Sequence, residues 1–159
     1  MSVKAAVVTV SNRSAAGTRA DTGGPVAVEA LRAAGFACDD ALIIPDGAER
    51  VAEALRGLLA AGVRVVVTTG GTGVGPFDRT PEGTAAVLDR DLPGIAEELR
   101  RRSAAEKPAG MLSRGLAGVA GDALIVNLPG SPKAVVSGMP VIVSVAQHVV
   151  DQLSGEDHP

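Results

Sequence analysis

Residues 63–81 read VRVVVTTGGTGVGPFDRTP, an apolar run that breaks into a glycine-rich turn and then into Thr80-Pro81. From Val63 to Thr69 the side chains are almost continuously β-branched rather than alternating, the pattern of a parallel strand covered on both faces. Gly70, Gly71, Gly73 and Gly75 end that run. Thr80-Pro81 reads as a helix start, with a hydroxyl to cap free amides and proline at the first helical position. Strand, glycine turn and helix in that order form part of a βαβ unit, and open sheets built from such units bind ligands at the loops leaving the carboxyl ends of their strands.

Working outward, three further apolar runs read as strands: Val3 to Val10, Ala41 to Ile44 and Ala123 to Asn127. Helical stretches lie between them, Gly24 to Ala34 and Ala48 to Ala61, with Gly35 and Gly62 just past their ends, where a left-handed residue is cheapest. The segment from Thr80 to Val119 is expected to hold two or three more helices. A last helix is expected from about Pro140 to Leu153, opened by Ser137 or Met139. Strand and helix alternate without a linker-like gap, so the expectation is one α/β domain over residues 1–153, followed by a polar tail over 154–159. Its architecture should be a three-layer sandwich, a mostly parallel sheet covered by helices on both faces. With 46% hydrophobic residues but two Phe and no Tyr or Trp, the core must be built from Val, Leu, Ile and Ala.

Composition excludes several classes of function. A net charge of −3 gives no sign of a nucleic-acid partner. Arg100, Arg101 and Arg102 form the one dense basic cluster, readable as a phosphate patch or as a solvated helix face beside Glu97 and Glu98. Cys38 is alone, so neither a disulfide framework nor a cysteine metal site is expected. No apolar stretch reads as a membrane span and the start has no leader-like pattern, which makes the cytoplasm the expected location. His148 and His158 lack the spacing of a zinc site, and no Ser-His-Asp set is evident.

Three loops carry chemistry. In the first, Thr68 to Pro81, glycines let backbone amides converge on an anion, with hydroxyls from Thr68, Thr69 and Thr72 and a carboxylate from Asp78. It is neither a P-loop, which needs a Gly-Lys-Ser/Thr run, nor a dinucleotide fingerprint, because Pro76 stands where the last glycine belongs. A merely flexible glycine turn is the plainer reading. The second loop, Ile44-Pro45-Asp46-Gly47, is first a turn in which Asp46 caps the helix from Ala48. Alternatively Asp46 and Asp78 meet above adjacent strands and hold a hydrated Mg²⁺ on a triphosphate. In the third, Asn127 to Pro132, Ser131 caps a short helix at Pro132, or that helix start binds an anion with Lys133 nearby. Near the start, Ser11, Asn12 and Arg13 follow the first strand. Ser14 to Asp21 looks like a mobile flap, and Arg13 or Arg19 is a candidate for phosphate.

Taken together, VVVTTGGTGVGPFDRTPE (65–82), Pro45-Asp46-Gly47, LSRGLAG (112–118) and NLPGSP (127–132) resemble the molybdenum-cofactor biosynthesis family that contains the molybdopterin adenylyltransferases, in its small free-standing form. The opening VVTVSNRSAAG and Asp21 fit as well, so the resemblance spans nearly the whole chain. It implies transfer of AMP from ATP to the terminal phosphate of molybdopterin, with release of pyrophosphate and Mg²⁺ as cofactor. The residues it implies as catalytic and metal-holding are Asp46 and Asp78. Those implied as binding are Ser11, Thr69, Gly70, Gly71, Thr72, Gly73, Gly130 and Ser131. It further implies a homotrimer or hexamer and a separate molybdate-insertion protein as partner. A non-catalytic paralogue that binds molybdopterin or a precursor is the competing role, and a different nucleotide-dependent reaction is a third. Two positions depart from the family pattern. Gly23 stands where relatives usually carry serine, and Gly83 stands where alanine is usual, which should loosen its helix by up to about 1 kcal/mol.

Overall fold

Val65, Val66 and Val67 are fully buried at the centre of a seven-stranded sheet, as expected of a strand covered on both faces. The computed structural model describes residues 2–156, so His158 and the end of the polar tail lie outside the described residues. In chain order the elements are β1 (Lys4–Val10), α1 (Asn12–Ala15), α2 (Gly23–Ala33), β2 (Ala37–Cys38), β3 (Leu42–Ile44), α3 (Ala48–Ala60) and β4 (Val65–Thr69). There follow α4 (Thr80–Ala85), β5 (Arg90–Asp91), α5 (Pro93–Glu106), a 3-10 turn (Pro108–Leu112), β6 (Ala117–Ala120), β7 (Ala123–Leu128) and α6 (Pro132–Leu153).

β1, β4 and β7 run parallel, with β4 between the other two, and β2 and β3 pair in succession along the far edge of β1. Strand alternation then divides the core. Ala5, Val7, Val65, Val67, Leu124 and Val126 face one side, with Leu31 of α2, Leu99 of α5 and Met139, Ile142 and Ala146 of α6. Val8, Val10, Val66 and Ile125 face the other, with Val51 and Leu55 of α3. The result is the expected three-layer α/β sandwich.

The sheet is mostly parallel as expected, but beyond β7 it gains two strands that no apolar run announces, β6 and β5, which continue it antiparallel. β6 is Ala-Gly-Val-Ala, buried throughout and too short and small to stand out from its surroundings in sequence. A second departure is α6, one 22-residue helix that begins at Pro132 and runs through Pro140. Its buried stripe, Val135, Met139, Ile142, Ala146 and Val150, keeps helical spacing across the proline. Tertiary packing therefore overrides a residue that sequence reading takes as a start. Against expectation, α6 is also long and apolar enough to cross a membrane by length and composition alone. Its buried stripe packs in the core with α2 and the sheet.

Gly83 also has a packing role beyond helix propensity. A Cβ there would collide with the Ala48 carbonyl oxygen and lie 2.7 Å from Val51 Cβ, so glycine is what lets α4 press against α3.

Candidate functional site

The carboxyl ends of β1, β3, β4 and β7 lie together, and the loops leaving them meet. Gly70 (φ +92°) and Gly71 (φ +69°) turn the chain out of β4 through the left-handed region that favours glycine. A side chain at Gly70 would strike the Val10 carbonyl oxygen, and one at Gly71 would strike the Thr80 hydroxyl. The turn is pinned from below. Gly70 N donates to Leu128 O (2.9 Å), Thr80 N to Gly71 O (3.1 Å) and Thr80 Oγ1 to Gly70 O (2.9 Å). Thr80 therefore does not cap α4; its buried hydroxyl holds the glycine turn instead.

The turn folds over Asp78. Asp78 N donates to Gly75 O (3.1 Å), and Gly75 N donates back to Asp78 Oδ2 (2.9 Å). Asp46 is held by a similar exchange. Asn12 N donates to Asp46 Oδ2 (3.1 Å), and Asp46 N donates to Asn12 Oδ1 (2.9 Å). This overturns the capping reading of Asp46, since α3 begins behind Gly47 with no side-chain cap. Ser131 likewise makes no capping bond at the start of α6. Ser11 does cap, accepting from Ser14 N (3.2 Å) at the start of α1. The stretch expected as a flap begins inside α1 and continues into a turn in which Thr18 N donates to Arg13 O (3.0 Å).

Asp46 and Asp78 approach each other, though not above adjacent strands, because β3 and β4 flank β1 on opposite sides. A methyl group at Gly71 would sit 3.3 Å from Asp46 Oδ1, and one at Gly73 or Gly75 would sit 2.9 Å from Asp78 Oδ2. Both carboxylates thus look onto the same turn. Burial first, and then the charge of Asp78, hold the Asp46 carboxyl above its ordinary range, against the Asn12 amide that pulls it down. Within the described residues neither Oδ1 has a hydrogen-bond donor, and no group of three or more His, Cys, Asp or Glu gathers to hold a metal. That donor set fits Mg²⁺, which takes one or two carboxylates and keeps its other positions for water and phosphate oxygens.

Two pockets open on either side of this turn. The larger, about 1080 Å³, is lined by Gly70 to Val74 and by Asp78, by the end of α5 and the 3-10 turn, and by Pro129 to Ala134 with Val136 and Ser137, with Lys107 and Lys133 as its cations. The smaller, about 680 Å³, takes in Ser11, Arg13, Arg19, Asp46, Thr69 and Phe77. Gly70, Gly71, Asp78, Gly130 and Ser131 line both. All ten of the residues expected to bind or react therefore border one pocket or the other.

Some residues fall elsewhere. Thr68 is buried away from the site, and its hydroxyl accepts from Asn127 Nδ2 (2.9 Å), which also donates to Thr84 Oγ1 (3.0 Å). Arg101 and Arg102 pair with Glu98 at 2.6 and 3.1 Å on the face of α5, and Arg100 binds the Ser113 and Gly115 carbonyls, so the cluster is no phosphate patch. Sequence reading passed over Asn12 and Arg114. Asn12 stood beside Ser11 and Arg13 as an ordinary polar residue, and Arg114 lay inside LSRGLAG with no role attached.

Residues 6–148 match the family described as "Probable molybdopterin binding domain". The chain is 36% identical over 155 residues to a molybdenum cofactor biosynthesis bifunctional protein of Chlorobaculum tepidum, covering 98% of this chain and 50% of that protein. It is 39% identical over 137 residues to a molybdopterin adenylyltransferase of Haemophilus influenzae, covering 84% of this chain and 69% of the relative. The chain thus spans about half the length of the bifunctional relative, but most of the adenylyltransferase. A solved structure, the molybdopterin biosynthesis Mog protein from Mycobacterium ulcerans, superposes with a TM-score of 0.92 at 42% identity, covering 98% of this chain and 99% of that one. Fold, motif loops and matched length agree, and the chain belongs to the molybdopterin-binding family of molybdenum cofactor biosynthesis.

Proposed function

We propose that this chain binds molybdopterin, or a phosphorylated precursor of it, in the larger pocket and ATP in the smaller. In this reading Asp46 and Asp78 serve transfer of AMP to the terminal phosphate of the pterin. The observation that carries the proposal is the shared edge. Two pockets of ligand size meet at Gly70-Gly71 and Gly130-Ser131, with Asp78 on both. A phosphate monoester in one pocket and a triphosphate in the other would face each other there.

In the transfer, a phosphate oxygen of molybdopterin attacks the α-phosphorus of ATP. A new P–O bond forms, the bond to the β-phosphate breaks, and pyrophosphate leaves with the electron pair. Such a step needs no covalent enzyme residue, because positioning and charge stabilisation supply most of the rate. The amides of Gly71, Thr72 and Gly73 and the Ser131 hydroxyl, free of a capping bond, would donate to phosphate oxygens. The start of α6 adds a favourable field for an anion. Arg13, Arg19 and Lys133 line the pockets as counter-charges. Asp46 and Asp78 would hold Mg²⁺, whose contribution when bound is to neutralise phosphate charge. Release of the adenylylated pterin to a separate molybdate-insertion protein, assembly as a homotrimer or hexamer, and cytoplasmic location complete the reading.

Binding without turnover is the second reading. It is supported by the matched family, whose description names molybdopterin binding. Equilibrium titration with molybdopterin and with ATP, separately and together, tests the two-pocket arrangement. Each ligand should saturate one site per chain without expelling the other. Mutual displacement, or no molybdopterin binding, refutes it.

A further inference from the structure

Arg114 sits in the segment between the 3-10 turn and β6, and its hydrogen bonds all converge on the glycine turn and α4. Its backbone N donates to Thr72 O (2.8 Å). Its Nε donates to Gly73 O (2.8 Å) and its Nη2 to Asp78 O (2.9 Å), so one planar guanidinium brackets both ends of the 73–78 turn. The remaining donors meet Glu82 on α4, Nη1 to Oε2 at 2.6 Å and Nη2 to Oε1 at 3.2 Å. Glu82 therefore fixes the plane of the fork from the solvent side, and its carboxyl is drawn below the ordinary range by that contact. Behind Arg114, Arg100 of α5 donates from Nη1 to Ser113 O (3.3 Å) and Gly115 O (2.9 Å), the carbonyls on either side of it.

We infer that Arg114 is a positioning residue that sets the Asp78 carboxylate, by clamping the 73–78 turn over it and tying that turn to the wall of the larger pocket through Arg100. The turn needs an external clamp. Apart from the Gly75–Asp78 exchange and an exposed bond from the neighbouring Arg79 Nη1 to Asp78 O (3.2 Å), the Arg114 bonds are the hydrogen bonds that hold its ends among the described residues, and Val74 and Phe77 at its tip are 74% and 66% exposed. Neither side chain anchors it by burial. Lysine cannot replace the clamp, because a single ammonium has no planar fork to span Gly73 O, Asp78 O and Glu82 together. The inference rests on the proposed role of Asp78, but it has a consequence in the free protein that does not depend on turnover.

The test uses Arg114→Lys and, as a milder lesion that keeps the arginine, Glu82→Gln. Amide hydrogen exchange of the ligand-free chain is read at Gly75 and Asp78, beside thermal melting, Mn²⁺ binding with ATP by electron paramagnetic resonance, molybdopterin Kd and kcat. For Arg114→Lys we expect exchange faster by about 10–100-fold and confined to residues 73–78, with Mn²⁺ affinity and kcat falling by a factor in the same range. Molybdopterin Kd should stay within about threefold of the parent, since outer-shell support acts on the held group rather than on pterin contacts. Glu82→Gln should follow with a smaller change of the same pattern, and it carries the test alone if Arg114→Lys does not fold. A purely structural role would instead spread faster exchange over α4 and β6 together. That spread, or unchanged exchange at Gly75 and Asp78 in both variants, overturns the inference. A parent protein that binds molybdopterin but makes no product removes the transfer reading and leaves the exchange arm to decide the role of Arg114.

Discussion

Gly83→Ala is a substitution for which helix propensity and packing give opposite signs. Gly83 is the fourth residue of α4, and alanine there should gain about 1 kcal/mol from helix propensity alone. The new methyl, however, would collide with the Ala48 carbonyl oxygen and approach Val51 Cβ to 2.7 Å and Val51 Cγ1 to 3.0 Å. Neither neighbour can swing away. One is backbone in the first turn of α3, and the other is a side chain with 0% exposure. The helices must separate, and overpacking of this kind costs about 1–3 kcal/mol. We take the upper part of that range because one of the clashes is with backbone, which leaves a net loss of about 1–2 kcal/mol. For a chain of this length the thermal midpoint should drop by about 2–8 °C. Urea unfolding should show a lower midpoint at unchanged slope, the mark of a stability change without a change in exposed surface. Because α4 carries Thr80 and Glu82, activity should fall as well. A Gly83→Ala chain as stable as the parent, or more so, would falsify the close-approach argument.

Asp78→Asn keeps an oxygen to accept from Gly75 N, so it should fold and bind molybdopterin, while adenylyl transfer falls by about 100-fold or more in a steady-state pyrophosphate assay. Asn127→Leu leaves the Leu116 amide without its buried acceptor and the Thr68 and Thr84 hydroxyls without their shared donor, and should lower stability by about 2–4 kcal/mol in urea titration. Asp46→Asn has the opposite sign. A carboxyl held above its ordinary range binds its proton more tightly when folded, so its charged form weakens the fold as pH rises through the folded pKa. At neutral pH the variant should therefore unfold at higher urea than the parent. That difference should close as pH falls below the ordinary carboxylate range, and transfer should be lost throughout.

How much of this was legible in the sequence depended on whether the signal was local. The runs at 3–10, 63–69 and 123–127 announced β1, β4 and β7 because strands buried on both faces need continuous apolar residues. β5 and β6 gave no such signal. Arg90-Asp91 is exposed edge, and Ala117 to Ala120 depends on β7 for its pairing. Residues read as helix caps, Asp46, Ser131 and Thr80, had the right type at the right place, but the cap is only one use of an oxygen near a helix start. Asn12, 34 residues before Asp46, and Gly70, 10 residues before Thr80, supply the partners that turn two of them into parts of the site. Arg114 was invisible for the same reason. Its partners lie up to 42 residues away, and nothing in Leu-Ser-Arg-Gly marks a guanidinium aimed at distant carbonyls. The glycine turn itself was readable because its geometry is forced locally, by glycines that no other residue replaces at Gly70 and Gly71.

The central claim is that the two pockets serve one reaction. Its most direct test incubates purified protein with molybdopterin, ATP and Mg²⁺, following pyrophosphate release and the mass of the pterin, with Asp78→Asn alongside. The account predicts adenylyl-molybdopterin and equimolar pyrophosphate from the parent, and both formed about 100-fold or more slowly by the variant. Saturable molybdopterin binding with no adenylylated product from the folded parent would contradict it and leave a pterin-binding protein without transferase activity.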